Sequence, residues 1–413
     1  MSLVSLRVSP PKTSLDSASN PSDWHDWRWQ LRHRIDDPTK LAAALPLTEE
    51  ERRGVEAAPD HFRIGITPYY LSLIDPAHPQ CPIRLQIVPR AAELVMADGE
   101  RVDPLGEDER RPTTGIIHRY PDRVLLLALD RCAVYCRHCN RRRLVGSEEQ
   151  PIRADDLRDA LEYIRSNRRI RDVLISGGDP LCLSTDKLMS ILQPLRAIDH
   201  VEVIRLGTRV PVVLPMRVDA ELCQALRTVH PLFINTHFNH PKELTPEAVA
   251  ACGRLADAGI PLGNQTVLLR GVNSSLRTLR ALFRGLLRAR VRPYYLFQGD
   301  VAVGTDHLRT PLAKAMELAE GLRGHLSGMA IPHVVVDLPG GHGKVPIGPS
   351  YLISQGTSHW VFRGYDGALV SYPEPADRDC HCAYEEVYFA GEPNDEAPGG
   401  VAQLLRRSME GPP

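Results

Sequence analysis

The sequence predicts an α/β fold, a mainly parallel sheet with helices on its faces, and three observations carry that reading. From about residue 120 onward, short apolar runs alternate with amphipathic segments, the pattern of repeated β-α units. Candidate strands at 124 to 129, 173 to 175, 201 to 206, 232 to 234, 265 to 269, 294 to 297 and 334 to 336 are separated by helical stretches such as 246 to 258, 276 to 289 and 310 to 328. With 413 residues, 43% hydrophobic and 24% charged, the chain has enough apolar material for a sizeable core. A full barrel, a partial barrel and an open doubly wound sheet all satisfy this pattern, and each places active groups on the loops that follow strands.

Taken in order, residues 1–22 are rich in Ser, Pro and Asp without periodicity and read as a flexible arm. Residues 23–115 read as a helical N-terminal module. Trp24, Trp27 and Trp29 precede a helix there, and Pro46-Leu47-Thr48 before Glu49, Glu50 and Glu51 has the form of a helix N-terminus with acidic first-turn residues. Residues 116–345 form the β/α core, and residues 346–413 form an irregular, Gly- and Pro-rich C-terminal extension that holds Cys380 and Cys382.

Fifty basic side chains against 51 acidic ones give a formal net charge of -1, which offers no general attraction to nucleic acid or to an anionic membrane. The dense basic spot is Arg141, Arg142 and Arg143. The N-terminus has no apolar signal core, and the longest apolar run, Val124 to Leu129, is far short of the roughly 20 residues a membrane helix needs. A cytoplasmic protein with no membrane or nucleic-acid partner is expected. Nine cysteines are too sparse for a disulfide framework, and the crowding of three of them points to metal chemistry in a reducing compartment.

Those three are Cys132, Cys136 and Cys139, spaced C-x3-C-x2-C directly after the candidate strand that ends near Asp130. Three thiolates leave one iron of a four-iron cube open to an external ligand. The competing readings are buried structural cysteines, or a zinc site completed by His138 at the cost of difficult local geometry. Ser176-Gly177-Gly178-Asp179 follows the next strand, where a lone Gly-Gly-Asp is ordinarily a turn. Further on, Pro339-Gly340-Gly341-His342-Gly343-Lys344 follows the strand at 334 to 336. Its glycines permit close backbone approach and its lysine is suited to form an imine with an aldehyde cofactor. Alone, that loop is equally a phosphate cradle or a turn.

At the cysteine triad the sequence resembles the radical S-adenosylmethionine superfamily, and the whole pattern resembles the lysine 2,3-aminomutase family. The segments that carry this are DWRWQ (26 to 30), RYPDRVLLL (119 to 127), YCRHCNRRR (135 to 143), INTHFNHP (234 to 241), PLGNQTVLLRGVN (261 to 273) and the lysine loop. The resemblance implies a partial (β/α) barrel of the radical S-adenosylmethionine type, with a [4Fe-4S] cluster on the three cysteines. It implies S-adenosylmethionine beside Ser176, Gly177, Gly178 and Asp179, with His237 and Gln265 as further contacts. Lys344 would hold pyridoxal 5'-phosphate, with Arg119, Tyr120 and Arg123 as candidates for contacting that cofactor. Arg141 would bind the substrate carboxylate, and Asp300 and Asp337 the distal cation of a basic amino acid.

The implied activity is migration of the amino group of free L-lysine from C2 to C3, started by a 5'-deoxyadenosyl radical that takes hydrogen from C3. A one-electron reductant such as flavodoxin or ferredoxin and a homo-oligomer are implied too. The family's structural zinc lacks part of its ligand set here: Cys380-His381-Cys382 remains, Glu385 stands near the expected third cysteine, and Ser274-Ser275 occupies the segment of another. Cys380 and Cys382 therefore either bind metal with His381 or Glu385 or are free thiols. Gly299 stands where a cysteine is usual and His342 where a glycine is. Loss of a side chain beside Asp300 would enlarge the pocket, which makes L-arginine the alternative substrate. Modification of a protein-bound lysine and a non-catalytic iron-sulfur sensor are the remaining alternatives. Cys81, Cys182, Cys223 and Cys252 read as packing residues.

Overall fold

Five short helices precede the sheet in the computed structural model of the protein, which describes residues 23–375 together with residues 388 and 390. They are α1 (Trp27–Arg32), α2 (Pro38–Ala44), α3 (Glu49–His61), α4 (Pro68–Ser72) and α5 (Pro82–Ile87). The predicted start of α3 is a reciprocal cap: Thr48 Oγ1 accepts from Glu51 N, and the Glu51 carboxylate accepts from Thr48 N at 2.8 Å. Glu51 is buried and pairs with the buried Arg84 at 2.6 Å, which ties α3 to α5.

The sheet begins with a hairpin. Strand β1 (Ile116–Tyr120) turns through Pro121-Asp122 into β2 (Arg123–Leu129), antiparallel to it, with Tyr120 opposite Arg123. Strands β3 (Asp172–Gly177), β4 (Val203–Gly207), β5 (Leu232–Thr236), β6 (Leu262–Leu268), β7 (Arg292–Gln298) and β8 (His333–Asp337) follow in parallel, each beside its predecessor. A short antiparallel strand, β9 (Lys344–Pro346), closes the order on β8. This monotonic order, without reversal, excludes a doubly wound sheet. Since β1 and β9 are opposite edges, the barrel is partial.

Between these strands lie α6 (Ala154–Ser166), α7 (Thr185–Arg196), α8 (Val210–Val213), α9 (Ala220–Leu226), α10 (Pro246–Asp257), α11 (Leu276–Arg288) and α12 (Leu312–Leu322). Their apolar stripes, such as Leu188, Leu192 and Leu195 of α7 or Leu279, Leu282 and Leu286 of α11, are fully buried in one core with Ile175, Ile204 and Ile234 of the strands. Helix α12 is shorter than the predicted 310 to 328 because Arg323 leaves helical geometry and Gly324 takes φ +73. Cys81, Cys182, Cys223 and Cys252 are buried in this core. Among the described residues no helix is long and apolar enough to cross a membrane.

The described residues from Tyr351 onward belong to a second unit. The sequence reads this region as irregular, yet β10 (Leu352–Gln355), β11 (His359–Arg363) and β12 (Leu369–Pro373) make an antiparallel meander. Its glycines fall in the turns, at 356, 364 and 367, and the strands between them are too short to show a periodicity. The candidate zinc ligands Cys380 and Cys382 lie outside the described residues. Ser275, in the segment where the family carries another cysteine, is the N-cap of α11 and accepts from Thr278 N.

Candidate active site

The loop after β2 is braced from both sides so that its thiols face inward. The Asp130 carboxylate accepts from Ser147 Oγ and from the backbone N–H groups of residues 148, 149 and 150, closing the loop on itself. Tyr135 N and Arg137 N donate to Gly65 O and Gln86 O, Arg34 donates to Cys132 O, and buried Arg137 grips Glu93 with two nitrogens at 2.7 and 3.0 Å. The side chains of Cys132, Cys136 and Cys139 consequently line one cavity of about 270 Å³.

On the next loop, glycine is required by contact. A Cβ on Gly177, whose φ is +107, would stand 2.5 Å from Leu129 O, and one on Gly178 would stand 2.2 Å from Arg131 O. Absence of those side chains seats the β3 loop directly on the cysteine loop. Asp179 is buried and accepts from Thr208 Oγ1 at 2.6 Å, Arg209 N at 2.7 Å, and the N–H groups of Val210 and Leu181 at 3.1 Å. It joins the β3 and β4 loops. Ser176, Gly177, Gly178 and Asp179 all line the thiol cavity, as do His237 after β5 and Gln265 on β6. Burial and the neighbouring Arg209 hold His237 down to about 4, so its imidazole is neutral near pH 7.

At the opposite wall the register of β8 and β9 sets Lys344 across from Asp337. Lys344 Nζ lies 2.8 Å from Asp337 Oδ2, and Arg119 Nη2 donates to Asp337 Oδ1 at 2.6 Å. Arg119 is on β1, so this triad spans the open seam of the barrel. Burial alone would raise the Asp337 carboxyl, but the Lys344 and Arg119 cations outweigh it and keep it ionised. Asp300, on the loop after β7, lines the same cavity, partly buried, and accepts from Asn140 Nδ2 at 2.7 Å. Burial, then repulsion from Asp337, pushes its carboxyl up to about 6.

The structure thus brings Cys132, Cys136, Cys139, Arg119, Arg141, Asp300, Asp337 and Lys344 to one cavity. Tyr120 and Arg123 line instead an adjoining cavity of about 380 Å³ that shares Arg119, Arg141, Gln265 and Lys344 with it. The three consecutive arginines are not an exposed patch. Arg141 binds Glu107, Arg142 binds Glu93, and Arg143 binds Asp103 and Asp108.

Sequence reasoning missed Glu107, Asn140 and Arg209. Glu107 is buried and takes Arg141 Nε and Nη2 at 3.1 and 2.7 Å, which leaves Nη1 of Arg141 for another partner. Only the proximity of CNRRR to the cysteines hinted at Asn140, and nothing local marks an acidic residue 34 positions before its arginine. If Arg141 holds the substrate carboxylate, as the resemblance implies, Glu107→Gln is expected to raise KM roughly tenfold with little change in kcat, because a charged hydrogen bond that aims Arg141 is weakened. Steady-state kinetics would show it, and a kcat loss at unchanged KM would refute it.

An open-seamed β/α barrel with three thiols on the loop after its first parallel strand defines a radical S-adenosylmethionine enzyme, and residues 127–282 match the profile of the Radical SAM superfamily. Residues 319–410 match the profile described as Lysine-2,3-aminomutase. The chain is 51% identical over 367 residues to L-lysine 2,3-aminomutase of Fusobacterium nucleatum, covering 89% of this chain and 86% of that one. It is 44% identical over 384 residues to the L-lysine 2,3-aminomutase of Bacillus subtilis, covering 92% and 82%. Glutamate 2,3-aminomutase of Clostridioides difficile is 44% identical over 355 residues, covering 86% and 84%. The chain belongs to the lysine 2,3-aminomutase family. Membership implies a [4Fe-4S] cluster, S-adenosylmethionine and an external reductant, and lysine 2,3-aminomutases use pyridoxal phosphate.

The residues present fit these groups. Burial raises the thiols of Cys132 and Cys139, so a metal cation is what would ionise them. His138 lines the same cavity, and its buried Nδ1 has no hydrogen-bond partner among the described residues. Lys344 is a primary amine at the junction of both cavities, with the cationic Arg119, Arg123 and Arg205 around the second.

Proposed function

We propose that the protein is a lysine 2,3-aminomutase that acts on free L-lysine, with Cys132, Cys136 and Cys139 holding the cluster and Lys344 holding pyridoxal phosphate. The single observation that carries the choice of a basic substrate is the pair Asp300 and Asp337 on one wall of the cavity that also holds Lys344 and the thiols. Two carboxylates facing one cavity favour a cation, and they oppose the third carboxylate that glutamate would bring.

When bound, the cluster and S-adenosylmethionine supply a carbon radical, and pyridoxal phosphate supplies a π-system on which nitrogen can migrate. The chain's own residues bind, orient and enclose. Arg141, aimed by Glu107, takes the substrate carboxylate through its remaining nitrogen; Asp300, aimed by Asn140, and Asp337 take the distal ammonium. Holding both ends fixes C2 and C3 between the thiol wall and Lys344. Arg119 and Arg123 neutralise the cofactor phosphate, with Tyr120 beside them; the Arg119 and Arg123 guanidiniums lie 5.4 and 4.1 Å from its ring centroid. Ser176, Gly177, Gly178, His237 and Gln265 line the S-adenosylmethionine side, and Asp179 holds that side together.

The arginine alternative loses its geometric argument. A Cβ at Gly299 would meet Arg309 Cγ at 3.2 Å, so the space freed by the glycine is taken by Arg309 and not by the pocket. Flavodoxin or ferredoxin as donor, a homo-oligomeric state and a cytoplasmic setting complete the reading, since the cluster must be reduced and its free thiols protected.

Anaerobic protein reconstituted with iron, sulfide, pyridoxal phosphate, S-adenosylmethionine and dithionite, then offered L-lysine, L-arginine and L-glutamate in competition, tests the substrate. β-Lysine is the expected product, and predominant β-arginine or β-glutamate would overturn the assignment. A pH profile tests the site. Asp300 must be ionised to bind a cation, and burial with repulsion from Asp337, opposed by Asn140, Lys344 and Arg141, leaves it at about 6. Therefore kcat/KM for lysine is expected to fall about tenfold per pH unit below about 6. Asp300→Asn should lower kcat/KM roughly 100-fold and erase that limb.

A further inference from the structure

One buried cation touches a candidate cluster ligand directly. Arg209, on the loop after β4, is buried and donates from Nη1 to Cys136 Sγ at 2.6 Å. Its Nη2 is held by Gln86 Oε1 at 2.6 Å, Glu243 Oε1 at 2.7 Å and Tyr70 Oη at 2.9 Å, and its Nε donates to His237 O at 3.2 Å. The backbone is fixed too, since Arg209 N donates to Asp179 Oδ2. Glu243 is equally constrained, accepting from Asn239 N at 2.5 Å, His240 N at 2.9 Å and Tyr70 Oη at 2.5 Å. The guanidinium cannot swing away from the sulfur without breaking several bonds.

A buried ion pair is weak ground for stability, because desolvation offsets the attraction. Its placement against the sulfur of a candidate cluster ligand points to the cluster. We infer that Arg209 is a positioning residue that sets the reduction potential of the iron-sulfur cluster, through its N–H bond to Cys136 Sγ and its positive charge, with Glu243 as the opposing charge.

Adding an electron makes the cluster more negative, and both a cation and an N–H donor at a ligand sulfur favour that state; in a buried site neither is screened by water. Glu243 acts with the opposite sign, but it stands behind Arg209 and does not bond the sulfur. A purely bracing role for Arg209 would change how well the loop takes up iron and would leave the potential of the loaded protein unchanged. The inference rests on Cys132, Cys136 and Cys139 being the cluster ligands.

The test compares wild type, Arg209→Gln, Arg209→Lys and Glu243→Gln, each reconstituted with iron and sulfide, assayed for iron content, and titrated with dithionite while the reduced cluster is followed by electron paramagnetic resonance. Arg209→Gln is expected to lower the ratio of reduced to oxidised cluster at least tenfold at a fixed solution potential, about 59 mV for one electron. Glu243→Gln shifts it the other way, and Arg209→Lys falls between wild type and Arg209→Gln. Full iron content with an unchanged potential in Arg209→Gln overturns the inference, as does a shift of the same sign in Arg209→Gln and Glu243→Gln. Should Arg209→Gln fail to take up iron, unchanged potentials in both other variants overturn it. Absence of a four-iron signal in wild type would overturn the cluster assignment itself.

Discussion

Lys344→Ala is expected to cost at least about 10³-fold in aminomutase turnover while iron content and reductive cleavage of S-adenosylmethionine persist. Lys344 is held by the β8–β9 register and by Asp337 at 2.8 Å, on the wall across from the cysteine loop. Removing its amine takes away the proposed point of attachment for the aldehyde cofactor without disturbing the thiols. Borohydride treatment followed by peptide mass mapping should fix pyridoxal phosphate to Lys344 in the wild type and nowhere in the variant. Full activity in Lys344→Ala, or a labelled peptide elsewhere, would contradict the assignment. The substitution also leaves Asp337 with Arg119 alone, so the variant should retain its fold.

Cys136→Ala is expected to abolish activity to the same degree by the complementary route: iron is lost and pyridoxal phosphate still binds. With two thiolates left, the four-iron cube proposed for this loop lacks a ligand, and Arg209 loses the sulfur it donates to. Cys252 supplies the contrast. It is fully buried in α10 within the core, so Cys252→Ala should cost about 1 kcal/mol of stability and leave iron and turnover unchanged. Iron and sulfide counts on both variants separate a ligand from a packing residue.

Much of this site was legible in the sequence because its parts are local. A C-x3-C-x2-C loop, a Gly-Gly-Asp turn and a Gly-rich lysine loop each lie just after an apolar strand, and strand order converts that shared position into a shared cavity. The strands from β2 to β8 were legible for the same reason: each carries a short apolar run, and at least one helix separates each from the next. Pairings across long sequence distances were not. Glu107 reaches Arg141, Arg119 reaches Asp337 across the seam, and Arg209 reaches Cys136, and no periodicity or spacing encodes such partners. The expectation that Gly299 opens the pocket failed for a related reason, since the space beside a glycine belongs to whichever side chain packs there, here Arg309. Strand β1 and the meander from β10 to β12 escaped notice because they are short, and the meander is largely exposed.

An intramolecular shift of nitrogen from C2 to C3 of a free basic amino acid can be followed by isotope tracing. L-Lysine labelled with 15N at the α-amino group and deuterium at C3 would be incubated with the reconstituted enzyme, and the product examined by mass spectrometry and nuclear magnetic resonance. The expected product is β-lysine with 15N on C3 and deuterium at C2, with S-adenosylmethionine largely recovered. Release of 15N as ammonia, or unchanged lysine while S-adenosylmethionine is consumed, would contradict it.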